Sequence, residues 1–184
     1  MKRSTVTVLV IFLALAGLVI YLNQKEPAVE ETDVPTSEPA RFLFSDSDGV
    51  PTSIDIQDNN GNQVIISRND AGVWVLEKPT EAEADQASAQ AAASQLTALR
   101  ILSTVEVAPA DVGLVQPSHV LTVKLSANTQ KAVRIGDLTP TESGYYAQSD
   151  GNVEIFILSK SGVDALFTML DSPPYASKTE TATP

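Results

Sequence analysis

The spacing of apolar positions changes several times along this chain, and each change marks an element. Thr5 to Leu22 is an unbroken run without a charge, led by Lys2 and Arg3. A helix crossing a bilayer's hydrocarbon core needs about 17–25 such residues, so the run predicts one membrane-spanning segment. Asn23 to Ala40 then carries three prolines and five acids with almost no bulky apolar residue. Such a stretch buries too little surface to fold and reads as a semi-extended stalk.

From Arg41 the alternation of short strands takes over. Arg41–Ser45 is followed by a turn at Asp46–Gly49, then by strands at Ser53–Gln57 and Gln63–Arg68. Asn60-Gly61 joins the last two, and both residues tolerate the positive φ of a hairpin turn. Asn69–Gly72 turns the chain into Val73–Leu76, where Trp74 is a natural core anchor. Pro79 ends that strand. The period becomes helical from Glu81 through an Ala/Gln/Ser-rich run to Leu102, which predicts the longest helix after the apolar run. Ala89, Ala92, Ala93, Leu96 and Leu99 share its inner face. Two starts compete, a capping box of Thr80 with Glu83 and a cap at Asp85.

Strand patterning returns at Thr104–Ala108, and a proline-bounded loop covers Pro109–Ser118. Strands are expected at His119–Leu125, Lys131–Ile135, Tyr145–Gln148 and Val153–Leu158, with turns at Asn128, Gly136–Ser143 and Asp150–Asn152. The last helix spans Gly162–Leu170. Its stripe is Val163, Leu166, Phe167 and Leu170, and Ser161 with Asp164 offers a capping box. Strands, helix, strands, helix is an α+β plan. It amounts to antiparallel β-meanders with two packed helices, hinting at two similar meander-plus-helix halves, behind an N-terminal transmembrane helix. The boundaries are a cytoplasmic N-terminus at 1–4, the anchor at 5–22, the stalk at 23–40, the domain at 41–171 and a disordered tail at 172–184.

Charge and composition narrow the setting. Lys2 and Arg3 precede the apolar run and only Lys25 closely follows it, so the positive-inside bias keeps the N-terminus in the cytoplasm. The lipid bilayer is then a partner through residues 5–22, and the main domain lies outside a cell membrane. Ala14-Leu15-Ala16 followed by Gly17 also fits a signal-peptide cleavage site. Against cleavage, the apolar run continues to Leu22 and would leave a greasy new N-terminus. Either way the domain is extracytoplasmic. Arg41 to Asp171 holds eight basic and seventeen acidic residues. That excess repels phosphate backbones and disfavours nucleic acid. The chain has no cysteine, which removes disulfides, thiol catalysis, thiolate metal sites and lipidated cysteine.

Little in the sequence builds a catalytic site. His119, the one histidine, stands beside Ser118 with Asp111 nearby, but adjacent strand residues point to opposite faces and pair poorly. No G-x-S-x-G elbow is present. Asp58, Asn60 and Gly61 match part of a calcium loop, but Ile56 and Ser67 occupy ligand positions that need oxygen-rich acidic side chains. Asp46–Gly49 reads as a turn. Arg134-Ile135-Gly136-Asp137 lacks phosphate-loop spacing, and Gly136 reads as a turn residue. No catalytic, metal or cofactor residue is assigned. The interaction surface expected instead is Val112, Gly113 and Leu114 in the proline-bounded loop, with Tyr145 and Tyr146.

Three ordered groups carry a family likeness. Gly72-Val73-Trp74-Val75-Leu76 leads to Pro79 and Ala84-Asp85. Val112-Gly113-Leu114 leads to Pro117. Ile135-Gly136 leads to Thr139-Pro140 and Tyr145-Tyr146. Together, from about Phe42 to Leu170 and behind a membrane segment, they resemble the "domain of unknown function 4340" family of bacterial envelope proteins. Val112 departs from the pattern, which often has an aromatic before Gly-Leu. The resemblance implies no activity. It implies a partner class, because such proteins often accompany export-type ABC transporter components, including gliding-motility-type ones. The expected function is therefore a non-catalytic, membrane-anchored interaction module, an accessory of an ABC-type envelope transport complex. The alternative is an envelope ligand- or polymer-binding domain.

Overall fold

Alternation decides which face of each strand is buried, and in this chain the apolar faces converge on two helices. A computed structural model describes residues 40–127 and 129–177. The strands are β1 (Arg41–Phe42), β2 (Pro51–Asp58), β3 (Gln63–Arg68), β4 (Trp74–Lys78) and β5 (Ala82–Glu83), followed by helix α1 (Gln86–Thr97). Then come β6 (Arg100–Val105), β7 (His119–Leu125), β8 (Gln130–Leu138), β9 (Gly144–Ser149), β10 (Ile155–Ser159) and helix α2 (Lys160–Asp171). All strands join one ten-stranded sheet in the order β1-β6-β10-β9-β8-β7-β2-β3-β4-β5. The fold is α+β, with antiparallel pairing throughout.

The two meanders meet at the β2–β7 pair, with Ile54 opposite Val123 and Ile56 opposite Leu121. From that pair one meander runs outward through β2–β5 into α1, and the other through β7–β10 into α2. β6 then adds outside β10, and β1 outside β6. The main core packs Ile54, Ile66, Trp74, Leu121, Ile135 and Leu158 against both helices. Ala89, Ala92, Ala93 and Leu96 are the buried residues of α1, and its alanines let the helix backbone sit close to the sheet. A second cluster of Val112, Leu114 and Ile155, with Val105 and Tyr146 against it, is separate from this core. Phe156 faces the helices, so Ile155 beside it must face the other way. The loop after β6 therefore covers part of the sheet's second face.

Several expected boundaries move. α1 stops at Thr97, and Arg100–Leu102 belongs to β6 instead of the helix. Good helix formers there lose to pairing, since Ile101 opposes Leu158 on one side and Arg41 on the other. α1 and α2 each have 12 residues, so neither is the longer. Asp85 is the cap of α1, accepting from the Ser88 amide at 2.8 Å, while Ala82–Glu83 forms β5. α2 begins two residues early, and its N-cap Ser159 makes no side-chain cap bond. The expected Ser161–Asp164 box does not form, because Asp164 accepts from the Tyr145 hydroxyl at 2.8 Å and pairs with Lys160. Gly162, Val163, Leu166 and Met169 are its buried positions; Phe167 and Leu170 are only half-buried.

The segment expected as a disordered tail is partly ordered. Tyr175 bridges to Ala84, the Asp85 amide donates to the Pro174 carbonyl at 2.8 Å, and the Ala176 amide donates to the Glu83 carbonyl at 3.0 Å. These bonds cover the β5 edge. Residues 178–184, the apolar run 5–22 and the stalk up to residue 39 lie outside the described residues. Among the described residues no helix is long and apolar enough to cross a membrane.

Candidate functional site

The loop expected to dock a partner is packed into the protein. Pro109–Val112 forms a short 3-10 turn closed by Gly113, whose φ of 72° is left-handed. The turn brings Val112 and Leu114 onto Ile155, and both side chains are buried. Val112 and Leu114 are therefore core residues and cannot be an open contact surface. Gly113 is half-buried with the Asp137 carboxylate against it. Tyr145 and Tyr146 occupy opposite faces of β9 and are both half-buried. Tyr145 lies edge-on to Phe167 at 5.7 Å, and burial followed by its bond to Asp164 raises its pKa above the ordinary range. Tyr146 packs on the Val112–Leu114 cluster. Tyr145 thus belongs with the main core and Val112, Leu114 and Tyr146 with the second, so the five residues form no common surface.

Ser118 and His119 do meet, contrary to the alternation argument. His119 Nδ1 lies 3.1 Å from Ser118 Oγ. Ser118 precedes β7, so strand geometry does not bind its side chain to one face. The serine hydroxyl also reaches the Ile135 and Gly136 carbonyls at 3.0 Å each. A hydroxyl has one proton, and a backbone carbonyl can only accept, so that proton is committed to the carbonyls. Nδ1 must then carry the hydrogen and donate to Oγ, an assignment that follows from the bonding pattern. This is the reverse of a base drawing a proton from a nucleophile. The ring stacks on Phe167 at 3.6 Å, and burial lowers its pKa against the opposing charge of Asp58. The pair is a structural bolt between β7, β8 and α2. Among the described residues no group of His, Asp and Glu is placed to hold a metal ion.

Three of the eight exposed large apolar side chains among the described residues lie on β1, on β6 or just after β6, and the other five lie elsewhere in the chain. Phe42, Leu102 and Val107 are 46%, 44% and 40% exposed. β1 covers only Arg100 and Ile101 of β6. Among the described residues, Ser103, Thr104 and Val105 have a strand partner on the β10 side alone. Arg41 donates to Thr104 Oγ1 at 3.2 Å and pairs with Glu154 at 3.6 Å, and Thr104 Oγ1 donates to Glu154 at 2.9 Å. Among the described residues the β6 edge beyond Ile101 is thus unpaired on its outer side, with apolar flanks and a balanced charge cluster. Sheet edges of this kind pair with added strands.

The family described as Domain of unknown function (DUF4340) matches residues 74–171, just over half of the chain. The chain belongs to the DUF4340 family. No curated protein and no solved structure matches it. The match runs from β4 to the end of α2, so β1–β3 fall outside it, a shorter span than the resemblance from Phe42 implies. Within the DUF4340 match, the signature residues do packing work. Trp74 is buried in the main core, and Gly136 lies beneath the backbone of Val112 and Gly113. Gly136 is inside β8, not in a turn. The β6 edge of this DUF4340 domain escaped the sequence reading, because exposure of Leu102 and Val107 depends on which strands add beside them.

Proposed function

We propose that this protein is a non-catalytic interaction module, tethered to a cell membrane through residues 5–22 and spaced from it by the 23–40 stalk. Its α+β domain sits outside the cytoplasm and serves as an accessory of an ABC-type envelope transport complex. The observation that carries this reading is the β6 edge, where Leu102 and Val107 are exposed and, among the described residues, Ser103–Val105 have no strand partner on the outer side. A partner adding an extended segment there gains main-chain hydrogen bonds, and the apolar side chains supply the contact area. The family resemblance supplies the partner class, and the charge pattern supports the orientation.

The test uses the full-length chain in its native membrane. Photo-crosslinking residues at positions 102 and 107 are expected to capture a transporter permease or ATPase-associated subunit, whereas a crosslinker on the buried Val112 position captures none. Leu102→Glu with Val107→Glu is expected to reduce capture at least about tenfold, the factor for a loss near 1.4 kcal/mol. Crosslinks that retain no transporter subunit, in cells expressing the complex, overturn the proposal.

A further inference from the structure

We infer that the cavity beside Arg68 is a binding site for a small carboxylate carrying a short apolar group. Arg68 ends β3 opposite Trp74, and its guanidinium carbon lies 4.6 Å over the indole ring. Nη1 donates to the Gly72 carbonyl at 3.1 Å, and Nη2 donates to Gln90 Oε1 at 2.7 Å. Trp74 Nε1 shares that Gln90 oxygen at 3.4 Å. Stacking and two hydrogen bonds therefore hold the cation in one orientation. A guanidinium has five N–H donors, and these bonds use two. Nε is buried without a hydrogen-bond partner. Among the described residues no carboxylate lies within ion-pair distance of Arg68, although the chain carries 23 acidic residues.

The space beside this cation is about 270 Å3. Gln90 and Ser94 from α1 give it polar walls, and Val50, Pro51 and Ala93 give it apolar ones. Ligand cavities for drug-sized molecules run from about 300 to 1,000 Å3, so this one suits something smaller than a nucleotide or an oligosaccharide. A fixed guanidinium fork takes carboxylate and phosphate oxygens alike, so charge decides between them. The chain's net charge of −11 opposes a dianion more strongly than a monoanion. The apolar walls then receive the ligand's short aliphatic group. A free acid and a peptide C-terminus share this chemistry. Five strands separate β3 from β6 in the sheet, so this site and the partner contact are tested separately.

Trp74 is the only tryptophan, and it lies under the ligand-binding cation, so its fluorescence is the readout. The full-length chain in mild detergent is titrated with isobutyrate and with N-acetylalanine at fixed ionic strength. A saturable change is expected, with half-saturation on the order of millimolar for so small a ligand. The tighter of the two carboxylates distinguishes a free acid from a C-terminus. Inorganic phosphate and isobutyramide are expected to give no saturable change. Arg68→Lys is expected to weaken binding at least about tenfold, because an ammonium lacks the planar fork. Ser94→Leu keeps Arg68 and closes the cavity, so it must also abolish the response, which guards against misfolding of the arginine variant. A response that is linear, or equal in Ser94→Leu and wild type, overturns the inference.

Discussion

Replacing Gly136 by alanine tests how the second face of the sheet is closed. Gly136 is buried inside β8 and does not need a positive φ. What it provides is room. A Cβ there would overlap the Val112 carbonyl oxygen and lie 3.1 Å from the Gly113 carbonyl carbon and 3.3 Å from Leu114 Cδ2. The first two obstacles are backbone, so no rotamer change relieves them and the loop must lift. Overpacking of this kind costs about 1–3 kcal/mol. Alanine also restricts the unfolded chain, which returns about 0.4–1 kcal/mol. The net destabilisation is then about 1–2 kcal/mol, or a fall in Tm of roughly 3–8 °C for a domain of this size. Thermal unfolding followed by circular dichroism measures the fall. Amide exchange at Leu114, whose N–H donates to the Pro109 carbonyl at 2.9 Å, localises it. Unchanged Tm together with unchanged Leu114 protection would refute the packing of this loop on β8.

Leu114→Ala removes a fully buried side chain from the same cluster and is expected to cost about 2–4 kcal/mol in urea unfolding; a loss below about 0.5 kcal/mol would mean the loop is not packed. The Lys131 ammonium, 2.7 Å away, and the Ser45 amide lower the Asp48 carboxyl to about 2. Its contribution is full above the unfolded value near 3.8 and is lost as pH falls through about 2. The pair is partly solvated, so screening holds that contribution to about 1 kcal/mol, and carbon-detected titration should show the midpoint rising in Lys131→Met. Burial lowers the pKa of His119, so its stabilisation is complete above 6.5 and declines as pH falls toward the lower folded value; His119→Gln should flatten that decline in unfolding curves above pH 5 (about one unit over the carboxylate range). Truncation after Ser172 removes the Pro174 acceptor of the Asp85 amide, and faster exchange of that amide is the expected result; unchanged exchange would show that the tail does not hold the edge.

The fold was legible wherever local pattern and tertiary demand agreed. β7 reads as His119–Leu125 in sequence and structure alike because it lies mid-sheet with a clean alternation. Asn60-Gly61 and the Trp74 anchor were equally plain. The end of α1 was not, since Leu99, Ile101 and Leu102 continue an apolar run with no glycine or proline to stop it. Only the pairing of Ile101 with Leu158 decides that boundary. Val112, Gly113 and Leu114 were misread because a proline-bounded loop is usually surface, and their burial depends on Ile155, more than forty residues away. Arg68 gave one local hint. Asn69–Gly72 is a turn, which sets Arg68 and Trp74 opposite each other. Nothing local announced Gln90 or the cavity that α1 completes.

The two ends of the sheet are treated differently, and that difference bears on what the domain is for. At β5 the chain's own residues 173–176 occupy the edge, and charged Glu77 and Lys78 flank it. At β6 the described chain supplies only Arg41 and Phe42 as neighbours. An exposed strand edge is an aggregation hazard unless something manages it. Two features do so here. The register shifts between Ile157 and Leu158 and leaves Leu102 as an extra residue, and such a bulge twists the edge out of line for casual pairing. The acidic excess keeps identical copies apart, since each carries a net charge of −11. Neither feature blocks a partner that matches the bulge and tolerates the Arg41–Glu154 pair. Among the described residues the β6 edge is thus guarded against its own copies but not sealed, which is the arrangement the proposed partner contact requires.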